Sequence, residues 1–451
     1  MDPLTLSQIA SMAGALLTAG DPSAIVSRIS KDTRDIRPGD LYVALRGERF
    51  DGNAFLAEAA AKGAVAALCD AEPPVGLPSH FGILSTSDGL AGLTLLAAAW
   101  REHLKLRSVV ITGSSGKTST KDFAAAVLGA QLQVTATCGN LNNHIGLPLS
   151  ILSASSSDQA AVWEIGMNHR GEIAPLAGLA RPDIGIITGI GSAHIEHLGS
   201  REEIAREKGD LLERIQPNGH AILPAADDFI TELRGRTSAQ VIEVGIGIGD
   251  LRAVNLRTEG SGTRFEIEGA FGKTEAFLPV PGRHMVGNAL LAIAAGVLCD
   301  IPLGECSVAL GSVSLTGGRL GILERNGATI LDDTYNANPE SMIAALETLG
   351  SHKGRRIAVL GRMGELGCHA GEAYRRVGVQ AASSTDRLVC VGEEAAAIAE
   401  AATQAGLADV RLVPDTKAAA DMISEILSPG VTVLLKASRS ARLEEILRHL
   451  A

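Results

Sequence analysis

Ile111-Thr112-Gly113-Ser114-Ser115-Gly116-Lys117-Thr118 links a short β-branched run, Ser108 to Ile111, to an alanine-rich stretch, Ser119 to Leu128, that reads as a helix. Glycines on a strand-to-helix turn let successive backbone N–H groups and the helix N-terminus converge on one anion. Lys117 then supplies charge, and the Thr118 hydroxyl a Mg²⁺ ligand. The spacing is compact: the usual Gly-x-x-x-x-Gly-Lys-[Ser/Thr] string would need glycine where the chain has Ile111, and only Ser114 and Ser115 separate Gly113 from Gly116. A plain Gly/Ser turn followed by a solvated lysine is the competing reading. Strand before, helix after and the Lys-Thr pair together favour nucleotide binding.

Around this loop, 451 residues suggest about three domains. Expected boundaries are 1–105, 106–315 and 316–451. High apolar but very low aromatic content suits α/β layers whose parallel strands are buried on both faces. A net charge of −11 and the lack of any Lys/Arg run argue against a nucleic-acid partner. The six cysteines form no CxxC pair, the N-terminus lacks a signal-peptide layout, and apolar runs such as Leu90 to Trp100 fall short of the ~20 residues a membrane span needs. The expectation is a cytoplasmic protein with free thiols.

In the first segment a helix is expected over Leu6 to Leu17, then Thr33-Arg34, a strand Leu41 to Leu45 and a helix Ala54 to Ala61. The polar turns there suit either an anionic ligand or ordinary turn chemistry. In the second segment, Asn140, Asn142 and Asn143 crowd one loop, where turn formation is the default role. Two apolar runs end in Glu164 and His194, at the carboxyl ends of expected parallel strands, where open α/β sheets bind ligands. Each is weak alone and stronger beside the phosphate loop. Residues 263–268 alternate with period two, an antiparallel excursion, and Asn288 falls early in a helix expected over Met285 to Leu298. In the third segment, Gly317-Gly318-Arg319 and Asp332-Asp333-Thr334-Tyr335-Asn336-Ala337-Asn338-Pro339 precede four strands alternating with helices, a Rossmann-like series. Gly361 to Gly367 matches a dinucleotide fingerprint only weakly, because its glycine spacing is wrong.

These stretches together resemble the Mur ligase family along the whole chain. The phosphate loop is similar to that family's compact form, and Gly139 to Pro148 and Lys436-Ala437-Ser438-Arg439 are similar to its further motifs. Asp332 to Pro339 is the most specific match. Ser115, Ser119, His144 and Arg362 depart from the commonest residues at their positions. The resemblance implies three domains: a small N-terminal α/β domain, a central P-loop-type ATPase domain with a mostly parallel sheet, and a C-terminal Rossmann-like domain. It also implies a monomeric, cytoplasmic ATP-dependent amide ligase that adds D-alanyl-D-alanine to UDP-N-acetylmuramoyl-tripeptide through an acyl phosphate.

By the same resemblance, Gly113, Ser114, Ser115, Gly116, Lys117, Thr118, Asn288, Arg319 and Asp333 contact ATP. Thr118, Glu164, His194 and Lys208 hold Mg²⁺, while Lys117, His194 and Lys208 are the catalytic set. Thr33 and Arg34 face the UDP group, and Asn336 and Asn338 shape the site between the second and third domains. Lys208 sits inside the apolar stripe of Ile204, Leu211, Leu212 and Ile215, where a snorkelling lysine is the bland reading. A buried ammonium near Mg²⁺ would favour its neutral form, and a neutral amine takes up CO₂ as a carbamate. The family carries a carbamylated lysine at the matching position. A folylpolyglutamate-type ligase, a P-loop ATPase switch and a dinucleotide-dependent oxidoreductase are the rival readings.

Overall fold

The computed structural model describes residues 1–450. It is an α/β protein of several domains with mostly parallel sheets. Two compact units are formed, one from residues 1–110, 132–166 and 174–183, the other from 111–131, 167–173 and 184–451.

In the first unit a five-stranded sheet runs in the order Leu16–Ala19, Gly82–Ser85, Ala66–Cys69, Asp40–Val43, Arg28–Ser30. All its pairs are parallel except the first. Tyr42, Ala44, Ala67, Cys69 and Phe81 build its core with Leu56 and Ala59 of the neighbouring helix. The N-terminal helix is shorter than the sequence pattern predicts. It covers Leu6–Ala13 and stops at Gly14, whose φ of 61° is the left-handed conformation that closes helices, so Leu16 and Leu17 become an edge strand instead. Strand Ala160–Glu164 pairs in parallel with Val134–Ala136 and carries Glu164 at its carboxyl end.

In the second unit, strands Ile184–Ile187, His220–Pro224, Gln240–Ile246 and Leu251–Glu259 pair in parallel, and Gly262–Gly269 and Gly272–Leu278 extend them antiparallel. The helix Arg283–Leu298 is buried over most of its length and packs on Lys117–Leu128. Gly296 makes the approach, because a Cβ there would lie 2.4 Å from Val127 Cγ1. A six-stranded sheet in the order 321–325, 328–333, 431–436, 355–360, 387–391, 410–413 completes the unit. Apart from its first hairpin it is parallel, and its Val, Ile and Leu positions form one core with the helices Thr416–Ser424 and Glu444–His449.

Candidate active site

The phosphate loop is shaped by contacts that only glycine permits. A Cβ on Gly113 would lie 2.0 Å from Thr188 Oγ1, and one on Gly116 2.5 Å from Asn288 Oδ1. Asn288 is therefore the residue against which the loop turns, which accounts for an asparagine in a helix that is otherwise apolar there. Ser114 N–H donates to Gly189 O at 2.9 Å, and Ser114 Oγ accepts from Gly191 N–H at 2.9 Å, locking the loop to the end of the adjacent strand. The helix starts at Lys117, two residues before the sequence-based start. Lys117 Nζ donates to Gly113 O at 2.8 Å, folded over the loop that it serves.

Residues of the 316–451 segment converge on this loop. Arg319 donates from Nη2 to Thr118 Oγ1 at 3.0 Å, and its guanidinium carbon stacks 3.9 Å from the centre of the Tyr335 ring. Arg319 Nη1 is buried without a hydrogen-bond partner. Asn338 reaches Ser114 O at 3.3 Å with its amide nitrogen while its Oδ1 caps the helix Pro339–Gly350. Asn336 is exposed, and its carbonyl accepts from Lys436 Nζ at 2.9 Å. The same lysine, buried, pairs with Asp333 at 2.7 Å. Ser438 continues the tie, donating to Ala337 O at 3.2 Å and accepting from Gly364 N–H at 2.8 Å.

His194 adopts φ 67° before a short helix, and its Nδ1 lies 2.5 Å from Glu365 Oε2. Burial pushes its imidazolium below the usual histidine range, against the opposing pull of Glu365. The stretch Gly361 to Gly367 thus supplies a carboxylate facing His194 rather than a dinucleotide turn.

Lys208 is wholly buried in the helix Arg201–Glu213, and its Nζ has no hydrogen-bond partner. Burial, and after it the charge of Lys117, push its ammonium well below the usual lysine range. The charge of its neighbour Glu207 opposes this shift only in part, and the Glu207 carboxylate makes no hydrogen bond to the lysine. That carboxylate is spent on three backbone N–H groups, Gly171 at 2.8 Å and Glu172 and Ile173 at 2.9 Å.

Three further predicted residues lie in the first unit. Glu164 is buried, with Oε1 accepting from Asn142 Nδ2 at 2.8 Å and Oε2 without a partner. Thr33 begins a single 3₁₀ turn, and Arg34, exposed, pairs with Asp32 at 2.6 Å.

Three family models match the chain: the Mur ligase family catalytic domain over residues 25–87, the Mur ligase middle domain over 111–296, and the Mur ligase glutamate ligase domain over 318–439. The chain belongs to the Mur ligase family. Among its relatives, the UDP-N-acetylmuramoyl-tripeptide–D-alanyl-D-alanine ligase of Bacillus subtilis is 36% identical, with 99% of this chain and 98% of the relative covered. The Escherichia coli ligase of the same name is 34% identical, over 100% and 99%. A crystal structure of MurF from Acinetobacter baumannii superposes with a TM-score of 0.91 at 30% identity, covering 100% and 99% of the two chains. MurF ligase from Thermotoga maritima, solved in complex with ADP, gives 0.84 at 28% identity over 94% and 97%.

In this Mur ligase, three residues with informative contacts carry no role legible in the sequence. Asn142 was one of three clustered asparagines, and nothing in the string singles out the one that meets Glu164. Lys436 has no partner signalled by the residues around it, and only the pairing of the strand Val431–Lys436 with Ala328–Asp333 brings it opposite Asp333. Glu340, whose carboxylate accepts from Ser192 Oγ at 3.0 Å, carries no local sequence signal.

Proposed function

We propose that this Mur ligase joins D-alanyl-D-alanine to UDP-N-acetylmuramoyl-tripeptide in the cytoplasm, as a monomer, using ATP and Mg²⁺. Its chain is divided into domains 1–105, 106–315 and 316–451. What supports the reading most is that Arg319 reaches Thr118 at 3.0 Å while Asn338, from the family's most specific string, reaches Ser114 at 3.3 Å. The nucleotide loop and the acceptor-specific loop face one site. No helix among the described residues is long and apolar enough to cross a membrane.

A carboxylate resists attack by an amine because its leaving group would be oxide. The tripeptide's terminal carboxylate oxygen therefore attacks the γ-phosphorus of ATP, ADP leaves, and an acyl phosphate forms. The free amine of the dipeptide adds to the acyl carbon, the amine proton is lost, and collapse of the tetrahedral intermediate expels phosphate. The protein's part is positioning and charge neutralisation. Gly113, Ser114, Ser115 and Gly116 form the loop around the phosphates, with Ser114 bracing it through Gly189 and Gly191, and Lys117 supplies its charge. Asn288, Arg319 and Asp333 hold the nucleotide, Thr33 and Arg34 the UDP group, and Asn336 and Asn338 shape the acceptor end.

Thr118, Glu164, His194 and a carbamylated Lys208 are assigned to magnesium, which when bound neutralises phosphate oxygens. The residues suit a hard cation: Glu164 Oε2 and Lys208 Nζ are buried polar atoms without protein partners, and one CO₂ on the neutral amine would convert the second into a carboxylate. The test is phosphate release from ATP with UDP-muramoyl-tripeptide, with and without D-alanyl-D-alanine. Turnover dependent on both is expected; ATP turnover indifferent to them would overturn the proposal.

A further inference from the structure

We propose that Asn142 is the positioning residue for Glu164, holding one carboxylate oxygen so that the other is presented to the metal ion. The inference rests on the magnesium assignment of Glu164 above. Asn142 Nδ2 donates to Glu164 Oε1 at 2.8 Å, while Oε2 is buried and accepts nothing. A carboxylate with one oxygen held by a hydrogen bond offers the other as its unengaged ligand atom.

Three other contacts fix this arrangement. Gly166 N–H donates to Asn142 O at 2.8 Å, anchoring the asparagine backbone to the residues just past the strand that carries Glu164. A Cβ on Gly166 would stand 3.2 Å from Asn142 Nδ2, so glycine there keeps the amide in reach of the carboxylate. Glu164 N–H donates to Thr137 Oγ1 at 3.0 Å, fixing the backbone from which the carboxylate projects.

Its neighbour does different work. Asn143 Oδ1 accepts from Gly146 N–H at 2.9 Å and from Ile145 N–H at 3.2 Å, stabilising the start of the helix Gly146–Ser153. The clustered asparagines thus divide between closing a turn and orienting a ligand. Outer partners of metal-binding carboxylates commonly contribute about 10- to 100-fold in metal affinity or activity.

The test is Mn²⁺ titrated into the full chain, with free ion read by electron paramagnetic resonance, for wild type, Asn142→Ala, Glu164→Gln and the double variant, each with a thermal melt. The expectation is Mn²⁺ affinity about 10- to 100-fold weaker in Asn142→Ala, with melting close to wild type. In the double variant, affinity should be no weaker than in Glu164→Gln alone, because the asparagine acts only through the carboxylate. Losses that add in the double variant would mark a general role in loop structure and overturn the inference. Asn142→Ala with wild-type affinity beside a weakened Glu164→Gln would overturn it and leave the ligand assignment standing. Unchanged affinity in Glu164→Gln would remove that assignment, and the inference with it.

Discussion

Lys208 is the residue at which chemistry and packing disagree most openly. A buried lysine without a hydrogen-bond partner in an apolar helix face destabilises the fold as an ammonium and is tolerated as a neutral amine or a carbamate. Glu207, its nearest sequence neighbour, accepts three backbone N–H bonds. Lys208→Ala is therefore expected to remove most ligation, on the order of 10²-fold or more, without lowering the melting temperature. Short carboxylates added to the assay should restore part of it by occupying the anionic position. A fully active variant would end the assignment. Beside His194 and His352, which burial shifts in the same direction, His284 contributes to the pH dependence. Burial, partly offset by Asp333, pushes its imidazolium down to about 4. The unfolded chain binds that proton near pH 6.5, so between these values the unfolded state holds more protons, and stability falls as pH drops. The loss through this residue is at most about 3 kcal/mol by pH 4. Melting curves from pH 7 to 4.5 should show it, and His284→Gln should flatten the slope; an unchanged slope would assign the acid sensitivity elsewhere.

Among the elements, the helix Pro339–Gly350 joins stability to function through one side chain. Asn338 Oδ1 accepts from Ser341 N–H at 2.8 Å as the helix cap, and its Nδ2 donates to Ser114 O in the phosphate loop. Asn338→Ala should lower unfolding free energy by about 1 kcal/mol. Asn338→Asp retains the cap but replaces the donor with a negative charge beside the phosphates, so stability should hold while kcat/KM falls on the order of tenfold or more. Parallel losses in both variants would mean the cap alone matters. The same segment shows why much of the fold was legible in the sequence. Strands such as Val431–Lys436 are buried on both faces and read as continuous apolar runs between helices. The strands over 240–259 were not legible. Leu251–Glu259 shifts register between Val254 and Arg257, with Asn255 at φ 54°, and the bulge breaks the period of two on which a strand is recognised. The N-terminal helix is shorter than its sequence pattern for a related reason: Gly14 ends it within a run whose leucines continue the apolar pattern. Lys208 was visible because a charge inside an apolar stripe is itself a signal, whereas Asn142, Lys436 and Glu340 gain their meaning only from contacts with distant parts of the chain.

Across the second unit, four polar contacts join the 316–451 segment to the phosphate loop and the residues after Ile187. Arg319 meets Thr118, Asn338 meets Ser114, Glu340 meets Ser192, and Glu365 meets His194. Hydrogen bonds of this kind contribute only about 1 kcal/mol each in net terms, since water satisfies the same groups when they separate. Contacts this weak are expected to let the segment separate, and a nucleotide touching both sides would shift the population toward the joined state. Glu340 is the informative place to intervene, because its carboxylate accepts from Ser192 N–H at 3.2 Å and Ser192 Oγ at 3.0 Å without belonging to the nucleotide contacts assigned above. Removing it biases the equilibrium toward separation and leaves those contacts in place. Glu340→Ala is expected to weaken binding of a nonhydrolysable ATP analogue by about 5- to 30-fold, the population term for a loss of roughly 1–2 kcal/mol. Hydrogen exchange should identify the cause. In the wild type, the analogue should protect amides over 189–196 and 334–340, and in the variant that protection should appear only at higher analogue concentration. Wild-type affinity with unchanged protection would mean that the joined arrangement does not depend on this contact, and that nucleotide binding and docking of the segment are independent events.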